Sequence, residues 1–194
     1  MKARSGTAED LRHVPGEVGV WVFILGEMVV FGVLFATYLF YRGQEPKTFD
    51  DAQRALAPGF GVGMTLLLLT ASLLVVIGVR SVREGKPSIA PRAFLAAAAC
   101  GVAFGALKVV DYHDMVVHHE TPSTNPFFLH YFVLTGIHLF HLMAGLVILG
   151  FLSTLSRKHH LSGNQFAFVE AGACYWHMVD LLWIVLFPLL YFVR

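Results

Sequence analysis

Five stretches of this 194-residue chain are long and apolar enough to cross a bilayer, and nothing else in the sequence limits its fold so strongly. A helix needs about 20 mostly apolar residues to span the hydrocarbon core. The stretches run about Val18–Tyr41, Pro58–Val79, Ala93–Val110, Pro126–Leu155 and Phe166–Val193. Their apolarity is continuous, without strand-like alternation, so they read as helices and a transmembrane barrel is excluded. Polar, turn-forming segments separate them, among them Gly43-Gln44-Glu45-Pro46 and Glu84-Gly85-Lys86-Pro87. The expected fold is all-α: a five-helix transmembrane domain over residues 18–194 behind a cytoplasmic N-terminal segment, residues 1–17. The third span is the weakest by hydropathy because it is alanine-rich at Ala96–Ala99, and small residues there predict close helix packing.

Composition agrees. Apolar residues make up 56% of the chain and charged residues 14%, against about 25% charged in soluble domains. A net charge of +1 with scattered basic residues gives no argument for a nucleic-acid partner. Cys100 and Cys174 both fall in apolar segments, outside any CxxC or zinc spacing, and read as small buried hydrophobes. The first seventeen residues carry charges, Pro15 and Gly16 but no apolar core. No cleavable signal peptide is expected, so the first span must drive insertion.

Lysine and arginine placement orients the chain. With the N-terminus in the cytoplasm, that side holds Lys2, Arg4, Arg12, Arg80, Arg83, Lys86, Arg92, Arg157 and Lys158. The other side holds Arg42, Lys47, Arg54 and Arg194, with Lys108 near its boundary. The segment Tyr112–Asn125 reads as a translocated loop, free of both residue types. The C-terminus is therefore expected on the periplasmic side.

Ionisable groups inside a membrane are costly, which makes each one a functional candidate. Glu27 lies about 14 Å into the first helix at 1.5 Å per residue. His138 and His141 sit near the middle of the fourth span, and His177 and Asp180 near the middle of the fifth. Glu170 lies just inside the cytoplasmic end of the fifth span, while Lys108 and Asp111 are expected to close the third helix. His138/His141, His177/Asp180 and Lys108/Asp111 are i,i+3 pairs, and Glu170 and His177 are seven apart, so each set shares a helix face. Two readings compete. In one, His138, His141 and His177 supply imidazoles to a metal or haem, with Glu27 or Asp180 as an oxygen ligand. In the other, these groups satisfy one another by hydrogen bonds between helices. Lys108–Asp111 reads as a neutralising pair in preference to a proton relay. Glu27 is alone on its helix, so it is expected to be protonated or bound to a neighbour. Trp21, Tyr41, Trp183 and Tyr191 are interface anchors or packing residues. A proton-coupled transporter built on Glu27 is the third class, but no inverted repeat of broken helices is visible.

The fifth span reads Glu170-Ala171-Gly172-Ala173-Cys174-Tyr175-Trp176-His177-Met178-Val179-Asp180-Leu181-Leu182-Trp183. It closely resembles the E-x-x-x-x-Y-W-H-x-V-D-x-x-W signature of cytochrome c oxidase subunit III. Thr135-Gly136-Ile137-His138-Leu139-Phe140-His141 is similar to that family's T-G-x-H-x-x-H, and Glu27 with Phe31 and Phe35 to its E-x-x-x-F-x-x-x-F. Departures accompany the match. The chain resembles the five-helix form that lacks the first two helices of seven-helix members. Lys108 and Asp111-Tyr112 stand where many members have Gln and Glu-Tyr, and Gly26 where Ser is common. The opening from His13 to Glu17 and from Trp21 to Glu27 resembles the short branch associated with nitric-oxide-reductase gene clusters.

The resemblance implies an accessory, non-redox subunit of a bacterial haem-copper oxidase or nitric-oxide-reductase-like complex, multi-pass in the inner membrane. Its partners would be the catalytic subunit I, with subunit II, and membrane lipid. It would carry no catalytic residue, metal or cofactor of its own beyond bound phospholipid, the haem and copper belonging to the partner subunits. Glu27, His138, His141, Glu170, His177 and Asp180 would be structural, lipid-related or proton-related polar positions. Arg157, Lys158, His159 and His160 would be candidates for anionic headgroup contact, a role that suits basic cytoplasmic loops in general.

Overall fold

In a computed structural model, described for residues 18–54, 56, 58–158 and 161–193, the chain is helical throughout its spans and has no strand among the described residues. The helices are α1 (Val18–Gln44), α2 (Pro46–Arg54), α3 (Pro58–Arg83), α4 (Ala90–Val117), α5 (Pro126–Leu155) and α6 (Gly163–Tyr191). All except α2 are long and apolar enough to span a membrane. The segment 1–17, with its charges and the His13–Glu17 motif, lies outside the described residues, as do His159, His160 and Arg194.

Local chemistry fixes where these helices start and stop. Asn125 caps α5 by accepting the Phe128 N–H at 3.0 Å, with Pro126 in the first turn, where its missing N–H costs nothing. Ser162 and Gln165 form a capping box at the start of α6. After α3, Gly85 adopts φ +65 while the Lys86 N–H bonds the Ser81 carbonyl at 2.9 Å, closing a Schellman turn. After α4 the same turn forms around His119, at φ 60, with the Glu120 N–H on the Met115 carbonyl.

Helices α3, α4, α5 and α6 form a closed ring of packed neighbours, and α1 leans on α5 and α6 from outside. The ring is drawn tight by small residues. A Cβ on Gly101 would lie 2.7 Å from the Trp176 ring, and one on Gly145 3.0 Å from it, so this indole fills a slot between α4 and α5. Within the alanine run, Ala97 is buried and Ala98 partly so, while Ala96 and Ala99 face outward. Close packing is thus confined to one stripe. In contrast, α1 exposes Val22, Leu25, Val29, Val33 and Phe40.

Three sequence expectations need correction. Gly43–Pro46 is not a loop: α1 runs through Gln44 and α2 starts at Pro46. Short and polar, α2 escapes any search for spans, yet it buries Phe49, Ala52 and Gln53, and Gln53 donates to the Leu190 carbonyl at 2.9 Å. Lys108 and Asp111 do not close the third helix, since α4 continues to Val117 and leaves only 118–125 of the expected Tyr112–Asn125 loop. Cys100 and Cys174 are half-buried free thiols, not fully buried ones.

Candidate polar sites of the bundle

The first helix does not carry its carboxylate alone. Glu27 Oε2 lies 3.1 Å from His141 Nε2, while His141 Nδ1 lies 2.8 Å from the Ile137 carbonyl. A carbonyl only accepts, so Nδ1 carries a proton and donates it. The Glu27–His141 contact then holds one shared proton, either on the carboxyl or on the imidazole. Phe31 packs edge-on against the ring, and the Tyr175 hydroxyl donates to the His141 carbonyl at 3.1 Å.

His138 is one turn away and meets different neighbours. It is fully buried between Phe104 of α4 and Trp183 of α6, and neither ring nitrogen has a hydrogen-bond partner among the described residues. On α6, His177 Nδ1 lies 2.6 Å from the Ser72 hydroxyl of α3. Asp180, one turn further along α6, is buried, and its Oδ1 has no hydrogen-bond partner among the described residues. Nearer the start of α6, Glu170 is buried and ion-paired with Arg83 at 2.5 Å.

Far from that pair, Lys108 anchors the most saturated cluster. Its ammonium is fully buried and donates to Asp111 at 2.8 Å and to the Tyr131 hydroxyl. It also lies over the faces of Tyr112, Tyr131 and Trp183. Tyr131 donates to Asp111 at 2.6 Å, and Tyr112 and Thr135 share a hydrogen bond. Trp183 and Tyr191, possible interface anchors by sequence, are buried packing residues, whereas Trp21 and Tyr41 are exposed.

Two open cavities flank Arg83. A groove of about 490 Å³ between α3 and α6 is lined by Arg80, Arg83, Glu170, Cys174 and His177 with apolar walls. A bowl of about 660 Å³ at the adjoining loops is lined by Arg83, Lys86, Lys158, Ser156 and Phe166. Beside it, Glu84 is held below the ordinary carboxylate range by hydrogen bonds from Lys86 and Arg80. Arg157 and Lys158 are exposed.

Sequence spacing paired Lys108 with Asp111 and put Glu170 and His177 on one face, and the structure places them so. His138 and His141 share α5 but face different helices, and His177 faces α3. Among the described residues, no group of three or more His, Cys, Asp or Glu side chains comes together as a metal ion would need. Ser72, Arg83, Tyr131 and Thr135 complete these sites and were missed. Thr135 opens a quoted motif and Arg83 was read only for orientation, so their partners, like those of Ser72 and Tyr131, became visible only once the helices packed.

The family model for cytochrome c oxidase subunit III matches residues 12–194. The chain belongs to that family. Cytochrome c oxidase subunit 3 of Synechocystis sp. is 32% identical over 179 residues, covering 89% of this chain and 73% of the relative. The protein of the same name from Thermostichus vulcanus is 30% identical over 177 residues, covering 90% and 85%. Subunit 3 of the cytochrome bo(3) ubiquinol oxidase of Pseudomonas putida is 24% identical over 177 residues, covering 90% and 84%. The chain is thus a subunit III of the haem-copper oxidase type. It is a multi-pass membrane protein associated with a haem-copper oxidase complex.

Proposed function

We propose that the chain is the accessory, non-redox subunit of its complex, lying beside subunit I, with subunit II, in a bacterial inner membrane. There it stabilises the catalytic subunit, binds phospholipid between its helices and supports proton uptake. The observation that carries the reading is the Glu27–His141 pair. It holds one exchangeable proton near mid-membrane, on the helix least covered by the bundle. Such a group is too costly to persist in lipid without a use. The proton-related role falls to Glu27, His141, His177 and Asp180, and a structural one to His138 and Glu170. Arg157 and Lys158 suit anionic headgroups by charge and exposure. In this reading haem and copper reside in the partner subunits.

The test is purification in mild detergent with the complex intact. The chain should co-purify with a haem-bearing subunit, and once separated from it should hold no stoichiometric iron or copper. One equivalent of either metal, lost in His138→Ala or His177→Ala, would support a metal site of its own instead. The N-terminus is cytoplasmic and the C-terminus periplasmic, following the basic-residue asymmetry. A C-terminal reporter active only in the cytoplasm contradicts this. The opening from His13 to Glu17 and from Trp21 to Glu27 favours a second reading of the partner, as a nitric-oxide-reductase-like enzyme. The gas consumed by the purified complex distinguishes the two.

A further inference from the structure

Helix α1 stands outside the ring, and its hold on the bundle is uneven along its length. The half that carries Glu27 exposes Val22, Leu25, Val29 and Val30, and meets its neighbours through the Glu27–His141 contact and a Phe23–Tyr175 stack with centroids 6.2 Å apart. The other end buries Tyr38 and Arg42. Against them lies α2, which follows after the single residue Glu45. Three anchors hold α2, reaching three different helices. Arg42 of α1 donates to Asp50 at 2.8 Å. Phe49, fully buried, packs edge-on against Tyr38 of α1 and Phe127 of α5, with ring centroids 5.4 and 5.7 Å away. Gln53 donates to the Leu190 carbonyl at 2.9 Å, one of the last carbonyls of α6, which have no partner within their own helix. The ion pair and the amide bond are directional, so they fix α2 in one register where an apolar patch alone would let it slide.

We propose that α2 is a clasp that ties α1 to α5 and α6 and so positions Glu27 against His141. Phe49, Asp50 and Gln53 are then positioning residues for a carboxyl well away from them. Glu27 lies about 16 Å before Tyr38 along the helix, at 1.5 Å per residue. From Val18 to Gln44 α1 is one unbroken helix, so it moves as a rod, and fixing one end restricts the other. With the clasp undone, its hold would rest on the mostly exposed half. The clasp also opens as a unit. A helix of 9 residues is too short to persist in water by itself, so α2 is helical because its anchors dock it, and losing them costs both the docking and the helix. This deepens the reading of Glu27–His141 as the functional pair, on which any consequence for turnover rests. The hold on α1 does not depend on that reading.

The test uses the intact complex and measures where α1 stands. Spin labels are placed at Val22→Cys of α1 and Leu95→Cys of α4, two exposed positions, in a Cys100→Ser, Cys174→Ser background. Both lie at the end of the bundle away from α2, so damage confined to α2 leaves the distance between them as it was. Pulsed electron paramagnetic resonance should give a single, narrow distance in the parent complex. In Phe49→Ala with Gln53→Ala the distance should lengthen and broaden, because losing a buried phenyl is worth about 100-fold or more in an equilibrium. Arg42→Met with Asp50→Asn removes the ion pair whole and strands no charge, so this variant should assemble and show a smaller shift in the same direction. Should the first variant fail to assemble, the second decides alone. Turnover followed in the same samples should decline sooner wherever the distance has shifted. An unchanged distance in the assembled variants overturns the clasp. A shifted distance with undiminished turnover supports the clasp and overturns the functional reading of Glu27–His141 instead.

Discussion

Two carboxylate–base pairs of the membrane-spanning helices, Lys108–Asp111 and Glu27–His141, are built in opposite ways. Lys108 and Asp111 sit on one helix of the closed ring, with side chains 0% and 16% exposed, covered by the Tyr131 hydroxyl and three aromatic faces. Glu27 and His141 sit on different helices, and Glu27, on the helix outside the ring, is 22% exposed. The Lys108 ammonium is fully buried and turned inward, onto Asp111 and Tyr131. The Glu27 pair has one shared proton and an open side. In the proposed reading the first is a structural pin and the second the functional group, although both look alike as ionisable residues in an apolar segment.

Breaking the sealed pair should give the largest effect. Lys108→Met leaves the Asp111 carboxylate without its cation, and removing one partner of a buried pair costs about 3–5 kcal/mol. The variant should unfold at clearly lower temperature in detergent and assemble poorly. Adding Asp111→Asn removes the stranded charge and should recover much of the loss, because replacing a whole buried pair is often close to neutral. A stable Lys108→Met protein with a turnover defect would erase the distinction drawn here. A smaller effect is expected in the ring beside it. Gly101→Val drives a side chain into the Trp176 slot, and overpacking of this kind costs about 1–3 kcal/mol. Thermal unfolding in detergent reads it, and Trp176→Leu in the same chain should relieve part of the loss.

How much of this was written in the sequence depends on the range of each interaction. The five spans were legible because continuous apolarity is a property of consecutive residues, and the i,i+3 pairing of Lys108 with Asp111 because it lies within one helix. The end of α4 was not. Hydropathy reports where the bilayer stops, and the polar turns from Asp111 to Val117 carry the helix past that point. Helix α2 was missed because nine largely polar residues do not look like a span, although Phe49, Ala52 and Gln53 already lie at helical spacing on one face. The pairing of Glu27 with His141, and of His177 with Ser72, depends on which helices become neighbours and how each is rotated. Spacing within a segment carries no information about that. It also explains why His138 and His141, adjacent by periodicity, meet different neighbours, α4 and α6 for one and α1 for the other.

The most direct test of the contrast is Glu27→Gln in the purified complex. Glutamine keeps the shape and the contact with His141 but cannot ionise, so the open pair loses its exchangeable proton while the packing survives. The subunit should insert, co-purify with its catalytic partner and unfold at the parent temperature. Oxygen or nitric-oxide consumption followed over many minutes should be slower or decline sooner than in the parent complex. Full and sustained turnover would make Glu27 a hydrogen-bonding group only, and failure to co-purify would make it an assembly contact. Either result contradicts the account.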